Sequence, residues 1–193
     1  MAIEKPEYKV VEEFAEFEIR EYASYLVAEV EIENDFEEAS SEAFGILFDY
    51  ISGNNIKQKK ISMTAPVNQT SAEKKGEKIA MTAPVSQQQS DTGSGRYYVS
   101  FVVPGKYTPA TVPEPVNSRV NIRQVPGQIM AAIKYSGNWS RKRYNKHKKL
   151  LLRELNKKNI EVTGNPVFAR YNPPFWPAFM RRNEILIPVN YSP

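Results

Sequence analysis

Between Tyr25 and Ile32 the chain alternates, with Leu26, Ala28, Val30 and Ile32 on one side and Tyr25, Val27, Glu29 and Glu31 on the other. A period of two predicts a strand with one buried face. Phe17 to Tyr22 predicts a shorter strand before it, and Ala23-Ser24 is short enough to be a hairpin turn between them. Asn34 and Asp35 then offer N-cap oxygens, and Asp35 with Glu38 has the spacing of a capping box. From Phe36 the period changes: Ala39, Ala43, Leu47, Tyr50 and Ile51 recur at helical spacing, with Phe44 and Phe48 beside them. Ser52-Gly53-Asn54 supplies the left-handed stop. So wide an apolar face fits either deep burial or the wall of a groove.

The same order of elements returns later. Moved forward without a gap, Ile19-Arg20 falls on Ile122-Arg123, Leu26-Val27-Ala28 on Ile129-Met130-Ala131, and Phe36 on Trp139. The second copy predicts strands over Asn121 to Gln124 and Gln128 to Tyr135, a turn at Pro126-Gly127, and a helix over Trp139 to Lys157 with Leu151, Leu152 and Leu155 inside. Neither unit covers a sheet alone, so both helices are expected to pack on one sheet assembled from both halves about a pseudo-twofold axis. A second repeat lies between them: Lys60-Ile61-Ser62-Met63-Thr64-Ala65-Pro66-Val67 returns as Lys78-Ile79-Ala80-Met81-Thr82-Ala83-Pro84-Val85. Pro66 and Pro84 have no N–H for a ladder and belong at an edge or a strand end. Ser71 to Gly76 is polar. Gln87 to Gly95, rich in Ser, Gln and Gly, predicts a mobile loop, and Arg96 to Pro104 another strand. The expected organisation is one domain over 1–193, with pseudo-repeats at about 8–58 and 118–172 and the doubled motif inserted over 60–87.

Composition narrows the chemistry. The chain of 193 residues has no Cys, which removes disulfides, thiolate metal sites and Cys nucleophiles, and its one His removes most catalytic triads and every His-rich metal site. That residue, His147, sits among Lys146, Lys148 and Lys149, as on a solvated helix face. Met1 to Val10 lacks the basic start and apolar stretch of an export signal, and the apolar runs near Phe101 to Pro104 and Leu150 to Leu152 are far too short to span a bilayer. The expected compartment is cytoplasmic, with no integral membrane segment. The net charge of +4 hides an acidic first quarter and a basic run from Arg141 to Lys149. That run has little aromatic interleaving and suggests no nucleic-acid partner. Glu12, Glu13, Glu16, Glu18 and Glu21 suggest solvated strand faces rather than a metal site.

One segment stands out: Tyr171-Asn172-Pro173-Pro174-Phe175-Trp176-Pro177-Ala178-Phe179-Met180, followed by Arg181-Arg182-Asn183-Glu184. A loop stiffened by prolines presents Phe175, Trp176 and Phe179 at low entropic cost, either as the wall of a site for a flat apolar ligand or as a seal at the end of the sheet.

That segment, with Phe17-Glu18-Ile19-Arg20-Glu21-Tyr22, the helix end from Ala43-Phe44 to Gly53, and Ile61-Ser62-Met63-Thr64-Ala65-Pro66-Val67, resembles the SOUL haem-binding protein family. The resemblance runs over nearly the whole chain. It implies an α+β fold: a distorted β-barrel of two pseudo-symmetric strand-helix repeats with two main helices, like the effector-binding domains of bacterial drug-responsive regulators. It also implies a tetrapyrrole groove between the first helix and the Pro-rich loop, which maps to Phe44, Leu47 and Phe48 opposite Phe175, Trp176, Phe179, Met180 and Arg181. In one branch of the family a histidine proposed as axial iron ligand follows the Glu-Ile-Arg motif; here that residue is Glu21. Basic positions that meet the haem propionates in another branch correspond to Ser41 and Asp49, which leaves Arg181, Arg182 or lysines of the second helix for that role. The expected function is therefore non-covalent binding of haem or another planar hydrophobic tetrapyrrole without a His ligand, by a monomer. The alternative is a small-molecule hydrolase, with Glu184 or Glu42 near Tyr171 activating water, or a sensor of drug-like molecules.

Overall fold

The computed structural model describes residues 3–57, 76–91 and 95–192. In chain order, β1 (Tyr8–Glu13), β2 (Glu18–Tyr22) and β3 (Tyr25–Glu33) lead into α1 (Phe36–Ser52) and the short β4 (Asn55–Ile56). Then come β5 (Val85–Gln89), β6 (Arg96–Val102), β7 (Glu114–Pro115), β8 (Asn121–Val125), β9 (Gln128–Tyr135) and α2 (Arg141–Lys157). β10 (Glu161–Val162), β11 (Val167–Arg170), a 3-10 turn at Ala178–Met180 and β12 (Asn183–Asn190) complete the described elements. Ten strands make one strongly curled antiparallel half-barrel in the order β1-β2-β9-β12-β11-β5-β6-β3-β8, with β10 beside β12, while β4 pairs with β7.

The two strand-strand-helix units are present, and they exchange strands. β2 pairs with β9, from Glu18 opposite Ala132 to Tyr22 opposite Gln128, and β3 pairs with β8, from Tyr25 opposite Val125 to Glu29 opposite Asn121. The expected hairpin at Ala23-Ser24 is therefore corrected to a corner at which the chain passes from one part of the sheet to another. The reason is local: a two-residue hairpin loop needs positive φ, and neither Ala23 nor Ser24 adopts it. The equivalent corner at Pro126-Gly127 lies against the first. A Cβ at Gly127 would stand 3.2 Å from the Tyr22 carbonyl oxygen and 3.6 Å from the Ser24 nitrogen, so the crossing depends on a residue without a side chain.

One face of the sheet meets both helices. Ile19, Ala28, Val30 and Ile32 from the first unit and Ala131 and Ile133 from the second pack with Ala43 and Leu47 of α1 and Leu151 and Leu155 of α2. Gly53 ends α1 at φ 123°, as its position predicts. The capping box does not form: Asp35 is the N-cap but accepts no side-chain hydrogen bond from the helix. α2 begins at Arg141 rather than Trp139, because the Ser140 hydroxyl accepts from the Arg143 N–H and caps the helix there. The expected mobile loop from Gln87 is corrected as well. Gln87 and Gln89 belong to β5, held between β6 and β11, and the Gln87 amide is buried donating 2.8 Å to the Phe36 carbonyl. Pairing on both edges overrides the polar composition. Pro84 stands at a strand end, just before β5; the first copy of the doubled motif, 60–67, lies outside the described residues.

The opposite face was expected to be solvated, yet Val27 and Glu29 are buried there because the sheet curls around it. Its main feature is an ion cluster. Glu184 is fully buried and takes Arg20 Nη1 at 2.8 Å and Nη2 at 3.2 Å, Arg182 Nε at 2.9 Å and the Tyr171 hydroxyl at 2.8 Å. Arg20, itself 1% exposed, also reaches Glu18 and the Tyr22 hydroxyl. Burial pushes the Glu184 carboxyl up, but the hydrogen bond and charge of Arg20, with those of Arg182, outweigh it and hold the group below the usual carboxylate range.

Two outcomes follow. Because the folded-state pKa of Glu184 lies below its unfolded value, its contribution is complete above the unfolded value and is lost as pH falls through the folded one. Glu184→Gln removes the buried counter-charge of Arg20, which keeps only the part-exposed Glu18, and should destabilise the fold by about 3 kcal/mol near neutral pH; chemical denaturation from neutral to acid pH should show the difference from wild type shrinking below about pH 4. Gly127→Val should lower stability by about 1–3 kcal/mol through overpacking against the Tyr22 backbone; an unchanged denaturation midpoint would show that the corner has room to spare.

Candidate functional site

Among the clefts formed by the described residues, two lie on opposite faces of the sheet. The helix-side cleft, about 420 Å³, is walled by Phe36, Ser40, Ser41 and Phe44 of α1, by Trp139 before α2 and by Pro174 of the Pro-rich loop. Val85 and Gln87 of β5 and Phe168 and Arg170 of β11 form its floor. Alternation on β11 decides this: Phe168 and Arg170 point here, whereas Val167, with Tyr171 just beyond the strand, lines the second cleft.

The aromatic walls are fixed in place. The Trp139 indole N–H donates 2.9 Å to Asn183 Oδ1, and the Asn183 amide donates 3.0 Å to the Gly137 carbonyl. Phe36 stacks on Phe168 with centroids 5.8 Å apart, and Phe44 meets Phe101 edge to face at 5.4 Å. Arg170 and Arg181 lie with their guanidinium carbons 5.3 and 4.6 Å from the Trp139 ring centre. Two buried polar groups at the floor lack partners among the described residues: Nε and Nη2 of Arg170, and Oε1 of Gln87.

Sequence-predicted site residues divide between wall, core and rim. Phe44 lines the cleft, and Phe48 stacks beside it at 5.8 Å, half exposed. Leu47 does not reach the cleft; it is fully buried on the sheet-facing side of α1. The loop enters through Pro174, and the residues after it are open to solvent: Phe175 is 82% exposed, Phe179 77%, and Trp176 and Met180 about half as much or somewhat more. Arg181 holds that loop, with Nε donating 2.8 Å to the Trp176 carbonyl and Nη2 2.5 Å to that of Pro174. Arg182 serves the ion cluster on the other face. The residues missed by sequence reasoning are Trp139, Phe168, Gln87 and Arg170. For Trp139 a signal existed, since the repeat aligns it with Phe36, and the two face the same cleft. Phe168 and Arg170 follow from alternation on a strand too short to be singled out.

The second cleft, about 230 Å³, is more polar and lies within the curl of the sheet, lined by Tyr22, Tyr25, Tyr98, Tyr171, Glu29 and Arg123 among others. Its buried carboxylate is already paired: Arg123 Nε and Nη2 donate to Glu29 at 2.7 and 2.8 Å. His147 lines neither cleft; its ring stacks on Tyr135 at 3.9 Å, and its Nδ1 lies 2.9 Å from the Arg143 carbonyl. No group of three or more His, Cys, Asp or Glu suited to a metal occurs among the described residues. No described helix is long and apolar enough to cross a membrane.

The architecture has counterparts among solved structures. The EcmrR C-terminal domain superposes with a TM-score of 0.62 at 11% identity, covering 96% of this chain and 99% of that one. A hydrolase encoded by lin2189 from Listeria innocua gives 0.54 at 10% identity, covering 91% and 92%. An uncharacterized conserved protein from Listeria innocua gives 0.54 at 11% identity, covering 97% and 93%. At such identities the likeness is one of fold. Among curated proteins, none matches the chain. The family model described as SOUL heme-binding protein matches residues 3–188, almost the whole length, and the chain belongs to that family.

Proposed function

We propose that the protein binds haem or another planar hydrophobic tetrapyrrole in the helix-side cleft, held by ring contact and burial rather than by a histidine ligand. The observation that carries this reading is the aromatic cleft between α1 and the Pro-rich loop, where Phe36, Phe44, Trp139 and Phe168 converge with Pro174. Its volume of about 420 Å³ falls within the range of roughly 300–1,000 Å³ common to small-molecule sites. Fixed aromatic walls suit a flat, polarisable ring system, because each offers area without losing much rotamer freedom on binding. Phe175 and Phe179 extend apolar surface beyond the loop's Pro174, and a large flat ligand would cover more of such a rim than a compact one.

The residues fit the organic macrocycle better than they fit its iron. Phe44, Trp139 and Phe168 would hold the ring, while no imidazole or thioether lines the cleft among the described residues. When bound, haem would bring its own iron chemistry; the chain's part is to bind the ring, exclude water and orient it. Membership of the SOUL heme-binding family supports the same reading.

The hydrolase alternative finds less support. Burial alone would make Glu184 a better base, but its two arginines and Tyr171 hold it ionised and saturated with hydrogen bonds. Glu42 lies at the surface beside Arg119, whose hydrogen bond lowers its pKa.

Titration with haemin and with iron-free protoporphyrin, followed by absorbance and by protein fluorescence, tests the proposal. Both ligands should saturate with similar affinity, and Phe44→Ala should weaken both by about tenfold or more, as expected for losing one buried ring contact. The exposed control Val116→Ala should behave as wild type. Failure of both ligands to saturate, or unchanged affinity in Phe44→Ala, would overturn the assignment.

A further inference from the structure

Arg170 is the most unusual charge among the described residues. It is 9% exposed, it ends β11 at the floor of the helix-side cleft, and its Nε and Nη2 have no hydrogen-bond acceptor among the described residues. A buried guanidinium without a counter-charge is costly, and what surrounds this one is aromatic: the rings of Trp139 and Phe168 lie 5.3 and 5.5 Å from its central carbon. Burial lowers its pKa to about 10, which still leaves it a cation at neutral pH. The one carboxylate lining the cleft among the described residues, Glu37, is directed elsewhere and accepts from the Arg141 N–H at 2.9 Å at the start of α2.

The two atoms without partners form a specific pair. Nε and Nη2 point the same way and make the side-on fork that grips a carboxylate with parallel hydrogen bonds. The same chain shows that fork in use: Arg123 applies Nε and Nη2 to the two oxygens of Glu29, and Arg182 applies them to Glu184. Arg170 lines the cleft, and its fork, closed to solvent as the structure stands, meets no protein side chain among the described residues.

From this geometry we infer that Arg170 is the specificity-determining residue of the cleft and that its natural ligand is a planar apolar acid, bound with a carboxylate inserted to the floor against Nε and Nη2. The inference rests on the ligand-binding reading of the cleft, and adds the polarity and direction of entry: acid end inward, apolar body between Phe44 and Trp139, far edge toward Phe175 and Phe179. Arg181 and Arg182, the expected partners for such an acid, are already committed to the loop carbonyls and to Glu184. An acid at Arg170 would also supply the counter-charge that no described residue does.

The test compares acids with their neutral esters: protoporphyrin against its dimethyl ester, and the smaller pyrenebutyric acid against its methyl ester, each by fluorescence titration of wild type, Arg170→Met and Arg170→Lys. Wild type should prefer each bound acid over its ester by at least about tenfold, the yield of a desolvated charge-assisted pair. Arg170→Met should erase that preference by weakening the acid far more than the ester, and Arg170→Lys, which keeps the charge without the fork, should restore part of it. Arg170→Met should also melt no lower than wild type, whereas the acid should raise the melting temperature of wild type alone. Equal affinity of wild type for acid and ester, a preference that survives in Arg170→Met, or an equal loss of both ligands in that variant would each overturn the inference. The two proposals separate cleanly. Arg170-dependent binding of pyrenebutyrate without porphyrin binding would retire the tetrapyrrole reading and keep this one, and porphyrin ester bound as tightly as the acid would do the reverse. Failure of every probe to bind would overturn both.

Discussion

Neither half of this chain can finish a sheet by itself. β2 needs β9 and β3 needs β8, and the two exchanges are made at corners that touch, where Gly127 packs on the backbone of Tyr22 and Ser24. The helix-side cleft depends on that crossing. It brings the start of α1 and the approach to α2 to one end of the same sheet face, so that Phe36 and Trp139, equivalent positions in the two units, become facing walls of one cleft. The two units thus share one cleft, in place of two separate ones.

A curled sheet has two faces to satisfy, and this one treats them differently. The helix side is closed by aliphatic packing, with Leu47, Leu151 and Leu155 fully buried, and opens only where aromatic residues replace it. The inner side closes around charge. Arg20 and Glu184 are both buried and satisfied by each other, by Glu18, Arg182 and the hydroxyls of Tyr22 and Tyr171. Such a cluster adds little net stability over an apolar core of equal volume, but it tolerates few alternative registers, because a one-residue slip would turn Glu184 into the aliphatic layer.

Periodicity was a good guide to the layer between the sheet and the helices. The alternation of Leu26, Ala28, Val30 and Ile32 and the helical recurrence from Ala39 to Ile51 both describe the structure as it stands. It misled where tertiary pairing intervened. Val27 and Glu29 looked solvated because nothing local records the curl of the sheet, and Gln87 looked like loop because its polar composition hides the strand, whose second partner, β11, lies far away in sequence. The segment Arg181-Arg182-Asn183-Glu184 was visible as a motif but not as an arrangement. Arg182 and Glu184 join the ion cluster, whereas Arg181 fixes the loop and Asn183 fixes Trp139. Four adjacent residues thus serve both faces, a division that becomes apparent only once the strand is placed. The groove was legible in outline, from α1 and the Pro-rich loop, and its floor was not, since Phe168 and Arg170 lie on a strand of four residues with no pattern of its own.

The rim of the cleft is braced by one side chain. Arg181 ties the carbonyls of Pro174 and Trp176 together, and three prolines restrict what lies between and around them. An entrance built this way is in place before any molecule arrives. On the proposed ligand-binding reading, association would then spend little free energy on ordering the loop, and selection would fall to shape and charge inside a preformed frame rather than to closure of a lid.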